Sequence, residues 1–99
     1  MRRKRIPDSK RFSIIHDMES CYFCGGRPVD IHECFHGTAN RRKSIENGLC
    51  IGLCRMHHEA AHHDKAFDKV VKMIGKKAFL ENHTEEEFVK IFGRTYEGD

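Results

Sequence analysis

Apolar residues along this chain change their period twice, and each change predicts a different element. From Asp64 onward the rhythm is helical: Phe67, Val70, Val71 and Ile74 fall at i, i+3, i+4 and i+7, one face of an amphipathic helix. The pattern runs on through Ala78, Phe79 and Leu80 towards Asn82, with Gly75 as a soft spot inside it. Thr84 followed by Glu87 is a capping box; it opens a second helix that turns Phe88, Ile91 and Phe92 inward and that Gly93 closes. Upstream the period shortens. Residues 29–32 alternate apolar and polar like a half-buried strand, and residues 49–54 are an apolar run of strand length, so the two are predicted to pair. The polar stretch 37–48 between them reads as a loop or a short helical turn, and residues 58–61 are compatible with helix. Residues 1–16 show no period and contain Pro7; they are read as a mostly irregular basic arm whose patch Ser13, Ile14, Ile15 and His16 docks as a short helix or strand. The chain therefore divides into an arm, 1–16, and one α+β domain, 17–99, ending in a pair of helices. Phe67, Phe79, Phe88 and Phe92 sit at helical spacing and are read as core aromatics, not base-stacking platforms.

Composition explains what such a domain lacks. Among 99 residues there is no Trp, 38% are hydrophobic and 33% are charged, so little apolar surface is available for burial. A structural metal would help such a chain most. Five cysteines is an odd number, and two of them form a CxxC at metal spacing, which favours reduced thiols over a disulfide scaffold. The basic start Met1-Arg2-Arg3-Lys4-Arg5 is followed by no apolar run of useful length, so no secretory signal is expected. Nothing approaches the ~20 apolar residues of a membrane helix. A cytoplasmic protein without a membrane partner is the expectation. Charge is uneven: residues 1–50 carry ten Lys/Arg against six Asp/Glu, and residues 51–99 eight against nine. The excess lies before and between the metal half-sites, where a polyanion would help hold the protein on its substrate.

The candidate chemistry lies between Cys21 and His63. Cys21-Tyr22-Phe23-Cys24 is a zinc knuckle, with Gly25-Gly26 allowing a tight turn around an ion. Cys54-Arg55-Met56-His57 repeats the two-residue spacing, and the two halves supply the four ligands of a structural zinc. Cys50 could replace Cys54 in that set, although its spacing fits less well; Cys34 and otherwise Cys50 read as small buried hydrophobes. His58 and His62 are four apart and share a helix face, whereas His63 points roughly 140° away from His58. His32, at the end of the first strand, becomes their third partner if the hairpin packs on that helix. Three protein ligands leave positions open, the requirement of a catalytic ion. Such an ion stabilises charge on the leaving oxygen of a phosphodiester, and a nearby base must take a proton from the attacking water.

The order CxxC, strand with His32-Glu33, Gly37-Thr38-Ala39-Asn40-Arg41, then Leu53-Cys54-x-x-His57-His58-x-x-x-His62 resembles that of HNH endonucleases with the ββα-metal fold. The likeness spans about residues 21–63, and the helical tail through Gly93-Arg94-Thr95-Tyr96 is similar to that of small phage- and prophage-encoded HNH proteins. It implies a small zinc-stabilised ββα-metal domain in which His32, His58 and His62 bind the catalytic ion, with Asn40 or Asn47 orienting the base. One position departs from the pattern. The family's base histidine is replaced by Glu33, a weaker base at an ordinary carboxylate pKa of ~4.3. Glu33 itself, or His36 swinging in, is then the candidate base; otherwise the site binds metal and cuts poorly. The implied function is a metal-dependent DNA endonuclease of phage or bacterial origin, acting in the cytoplasm of the host or infected cell. Mg²⁺, Mn²⁺, Ni²⁺ and Zn²⁺ all remain candidates for the catalytic ion. Arg41, Arg42 and Lys43 should contact backbone and not bases, so specificity is expected to be low and cutting to weaken steeply with salt. DNA is the expected partner, with RNA as the alternative; a homodimer, or a phage recombination or packaging protein, would direct the cut.

Two rival functions use the same residues. His58-Glu59-Ala60-Ala61-His62 is a literal HExxH, the metalloprotease signature with Glu59 as base, but that reading leaves the zinc knuckle unexplained. A zinc module that binds nucleic acid without cutting it needs only the knuckle and the basic segments. It has no use for the three-histidine set. An adaptor contacting a protein through its acidic C-terminal helices has no motif in its favour.

Overall fold

A computed structural model of the chain describes residues 11–37 and 39–96. The basic run Arg2 to Arg5 lies outside the described residues, as does Thr38. Strand β1 (Asp30–Glu33) pairs antiparallel with β2 (Cys50–Leu53), with Asp30 opposite Leu53 and Glu33 opposite Cys50. The predicted hairpin is thus present, shifted by one residue at its ends. A short helix α1 (Arg41–Glu46) occupies the connection; α2 (Arg55–His63), α3 (Lys65–Leu80) and α4 (Glu85–Phe92) follow. No helix among the described residues is long and apolar enough to cross a membrane.

Side-chain caps fix the starts of α3 and α4, and the box at Thr84 is the one the sequence predicts. Asp64 accepts from the backbone N–H of Ala66 and Phe67 and starts α3. Thr84 and Glu87 close the reciprocal capping box of α4, and Gly93 ends it in the left-handed conformation at φ 86°.

β2 is buried along its whole length, and its second edge needs partners. The segment 13–22 supplies them without becoming a strand. The Ser13 hydroxyl donates to Cys50 O at 2.6 Å, Gly52 N donates to His16 Nε2 at 2.9 Å, and Tyr22 N donates to Gly52 O at 2.9 Å. The patch 13–16 therefore docks as an irregular edge cover, neither helix nor strand. The packed body extends back at least to Arg11, which is buried.

The core lies between the sheet and the C-terminal helices: Phe35, Leu49, Ile51, Leu53, Val71, Phe79 and Phe88 are fully or almost fully buried. Phe35 stacks with Phe88, Phe92 and Tyr96 at ring distances of 4.8–5.3 Å. Ser44 both donates to Phe35 O and accepts from Phe35 N. The helices thus pin the turn that follows β1, which carries His36. Phe79, Phe88 and Phe92 are core as expected, while Phe67 is half-buried against Phe23 at 4.8 Å. Gly75 does not interrupt α3. A Cβ there would lie 2.8 Å from Cys34 Cβ and 3.1 Å from its Sγ, so the glycine lets the helix approach the chain just past β1. Gly75→Ala is expected to destabilise the protein by about 1–3 kcal/mol through overpacking. A urea melt checks this, and a stabilised variant, the usual result of Gly→Ala in a helix, would contradict the close-packing account.

Candidate metal centre

The knuckle and the start of α2 bring together the four ligands expected from spacing. Cys21, Cys24, Cys54 and His57 present ligand atoms that all lie within 4.8 Å of one another, so this group could hold a metal ion. The chain turns after the knuckle because Gly25 N donates to Cys21 O at 2.8 Å and Cys21 N to Gly26 O at 2.9 Å, with Gly25 at φ 74°. Cys54 is the N-cap of α2, which sets His57 in the first turn facing the knuckle. The Cys24 and Cys54 sulfurs are 3.8 Å apart, and His57 Nδ1 is 3.4 Å from Cys21 Sγ and 3.2 Å from Cys54 Sγ. A tetrahedron with bonds of about 2.3 Å to sulfur and 2.0 Å to nitrogen has edges of about 3.8 Å and 3.5 Å. The spacing fits. Burial alone would raise the Cys21 thiol, but backbone N–H donors of Cys54, Cys24 and Phe23 outweigh it and lower its pKa to about 6, favouring the thiolate a metal binds. Cys50 is not part of the group; it is buried in β2, and burial pushes its thiol up to about 12.

A second group, His32, His58 and His62, also has its ligand atoms within 4.8 Å of one another. His58 and His62 lie one turn apart on α2 with their Nε2 atoms 3.2 Å apart, close to the ~3.3 Å edge of a tetrahedral site with nitrogen ligands. His32 reaches them from β1, its ring 5.2 Å from that of His58 and 5.1 Å from that of His62. His63 does not belong to the group. His32 is only 2% exposed, and its Nε2 has no hydrogen-bond partner among the described residues. Burial first, then the neighbouring His58, His62 and His36, hold its pKa down to about 3, so the ring is neutral with a lone pair to offer. Asp30 Oδ2 accepts from His58 Nδ1 at 3.0 Å, and His58 Nε2 faces His62. Asp30 is a residue that sequence reasoning missed. Its signal was available, because it lies two residues before His32 and so on the same face of the strand.

Two further carboxylates organise the surroundings. His36 Nε2 and Asp68 Oδ1 are 2.9 Å apart, and Lys72 Nζ lies 2.9 Å from Asp68 Oδ2. Burial works to raise the Asp68 carboxyl, but the hydrogen bonds from Lys72 and His36 outweigh it and hold it below its ordinary value. The ionised carboxylate only accepts, so His36 donates to it from Nε2. His32, His36 and Asp68 form a second possible ligand set around the same buried imidazole. Glu33 is buried between two guanidinium groups, with Oε2 3.2 Å from Arg11 Nε and Oε1 3.1 Å from Arg41 Nε. Arg11, Arg55 and Asp68 carried no local signal in the sequence.

A groove of about 680 Å³ opens beside the histidines, lined by Glu33, His36, Arg41, Arg55, His58 and His62 among others. Asn40 and Asn47 do not line it. Asn40 Nδ2 donates to Tyr96 Oη at 2.6 Å and Phe92 O at 3.3 Å, and Asn47 Nδ2 donates to Lys43 O at 2.8 Å. Arg41, Arg42 and Lys43 form the first turn of α1, the two arginines exposed and Lys43 half-buried. Glu59 is exposed on α2. Comparison of the chain with family models, curated proteins and solved structures returns no match.

Proposed function

We propose that this chain is a metal-dependent endonuclease of the HNH kind, with zinc on Cys21, Cys24, Cys54 and His57 and a divalent ion on His32, His58 and His62. The observation that carries the proposal is the buried Nε2 of His32, a neutral nitrogen without a partner beside two convergent imidazoles. Leaving such a group unsatisfied costs about 1–3 kcal/mol, and ligation of an ion is what accounts for it. The order β1, β2, α2 supports the same reading, and the ligand edges at the cysteines suit zinc's bond lengths. An ion held by the histidines supplies positive charge next to the reacting phosphate of a DNA strand. The chain's own groups do the rest. Asp30 orients His58; Arg41 and Arg55 stand in the groove for the phosphates; His36, steadied by Asp68, accepts the proton of the attacking water at Nδ1. Both Glu33 oxygens are engaged by arginine, which favours His36 over Glu33 as the base.

A second reading, a zinc module that binds nucleic acid without cutting it, gains support from that same engagement of Glu33, which occupies the position of the family's base. Nicking of supercoiled plasmid separates the two. Zinc-loaded protein should nick when Mg²⁺, Mn²⁺ or Ni²⁺ is added, and His58→Ala should lose at least about 10²-fold in rate. Protein that holds its zinc and binds DNA but nicks with no ion would sink the endonuclease and leave the binding module.

A further inference from the structure

β1 carries a carboxylate at each end, and each holds an arginine at the histidine groove. At the start, Asp30 Oδ2 lies 3.7 Å from Arg55 Nε as well as bonding His58. At the end, Glu33 bridges Arg11 and Arg41 through separate oxygens. The Arg11 and Glu33 side chains are 2% and 11% exposed and form a fixed platform, whereas those of Arg41 and Arg55 are 52% and 77% exposed. Stability is a poor reason for this arrangement. Exposed ion pairs contribute about 0–1 kcal/mol, and buried ones often do no better than apolar residues of the same size. Recognition is a better one. A guanidinium offers five N–H donors in a planar fork, so a carboxylate that engages Nε can fix the fork while other donors address a phosphate.

We infer that Arg41 and Arg55 are the two jaws of a clamp for the sugar-phosphate backbone, with Glu33 and Asp30 as the residues that position them. The inference rests on the proposed nucleic-acid substrate and adds how the strand is seated. Asp30 and Glu33 lie at opposite ends of β1, on either side of His32 in sequence, and both line the groove together with Arg41, Arg55, His58 and His62. Among the described ion pairs, three arginines (Arg11, Arg41 and Arg55) face two carboxylates (Asp30 and Glu33). The clamp's grip is set by fork geometry more than by bulk positive charge.

The test is binding, measured by fluorescence anisotropy of a labelled DNA duplex with the full zinc-bearing chain, in KCl of varied concentration and without added divalent ion. Arg41→Ala and Arg55→Ala should each flatten the slope of log K against log salt by about 0.9, the value for one lost phosphate contact. Lys77→Ala, exposed on α3 and outside the groove, should leave the slope unchanged. Glu33→Gln separates positioning from simple charge. Removing a negative charge alone would tighten binding, whereas loss of the arginine platform should weaken it several-fold. Wild-type slopes in both arginine variants, or tighter binding by Glu33→Gln, would overturn the clamp. Cleavage does not enter the measurement. A chain with flattened slopes that never nicks plasmid keeps the clamp and loses the endonuclease; a nicking enzyme with unchanged slopes does the reverse.

Discussion

Chelation of the zinc proposed at Cys21, Cys24, Cys54 and His57 is expected to unfold the protein. Among the described residues the sheet has two strands, and a two-stranded hairpin is marginal by itself in water. The segment 13–22 that covers β2 has no regular structure of its own and runs directly into the knuckle. An ion shared by Cys21 and Cys24 on one side and Cys54 and His57 on the other would tie that cover to the start of α2. Structural zinc contributes roughly 10–16 kcal/mol in finger peptides, against about 5–15 kcal/mol for the whole stability of an ordinary domain. Excess chelator should therefore remove the cooperative thermal transition seen by circular dichroism, and zinc should restore it. Cys24 makes the sharper version of the test because it is exposed. An exposed residue without a special role changes stability by within about 0.5 kcal/mol on substitution, so Cys24→Ala should be nearly silent unless it holds an ion. We expect it to be as damaging as chelation. An unchanged melting temperature with chelator, and in Cys24→Ala, would remove the structural metal from this fold.

How far the sequence could be read follows from the range of each interaction. The caps at Thr84 and Gly93 act within a few residues, so the ends of α4 were legible, as was the start of α3 from its apolar period. The same holds for the cysteine and histidine pairs at short spacing, and for His58 with His62 on one helical turn. What was hidden depends on distant parts of the chain meeting. Arg11 reaches Glu33 across 22 positions and His36 meets Asp68 across 32, and no local period announces either. α1 has too few apolar residues to show a helical face; Ser44 and Ile45 are its buried pair. Gly75 reads as a weakness when only helix propensity is considered, and its reason appears with the contact to Cys34. The two asparagines show the opposite limit. Motif resemblance points to Asn40 or Asn47, yet Asn40 is engaged with Phe92 and Tyr96 and Asn47 with the backbone of α1.

For the proposed endonuclease, replacing His36 with Ala is expected to lower kcat by about 10²–10⁴, the usual contribution of a general base, while Glu33→Gln should act mainly on KM. The difference lies in what each side chain has left to offer. Glu33 gives one oxygen to Arg11 and the other to Arg41, so proton transfer to it would have to disrupt a buried ion pair, at about 3–5 kcal/mol for a pair broken outright. His36 is half-buried and bonded to Asp68 through Nε2, its ring centre 5.6 Å from that of His62, and Nδ1 is the atom proposed to take the proton. Asp68→Asn keeps an oxygen for Nε2 but removes the charge that stabilises a protonated ring, and should fall between wild type and His36→Ala. A competing role for His36 follows from its membership of the His32, His36 and Asp68 group. If it were a metal ligand, activity of His36→Ala would recover as the divalent ion is raised. A lost base shows no such recovery. A Glu33→Gln enzyme without turnover beside an active His36→Ala would return the role of base to the carboxylate on β1, and with it the residue that the family pattern puts there.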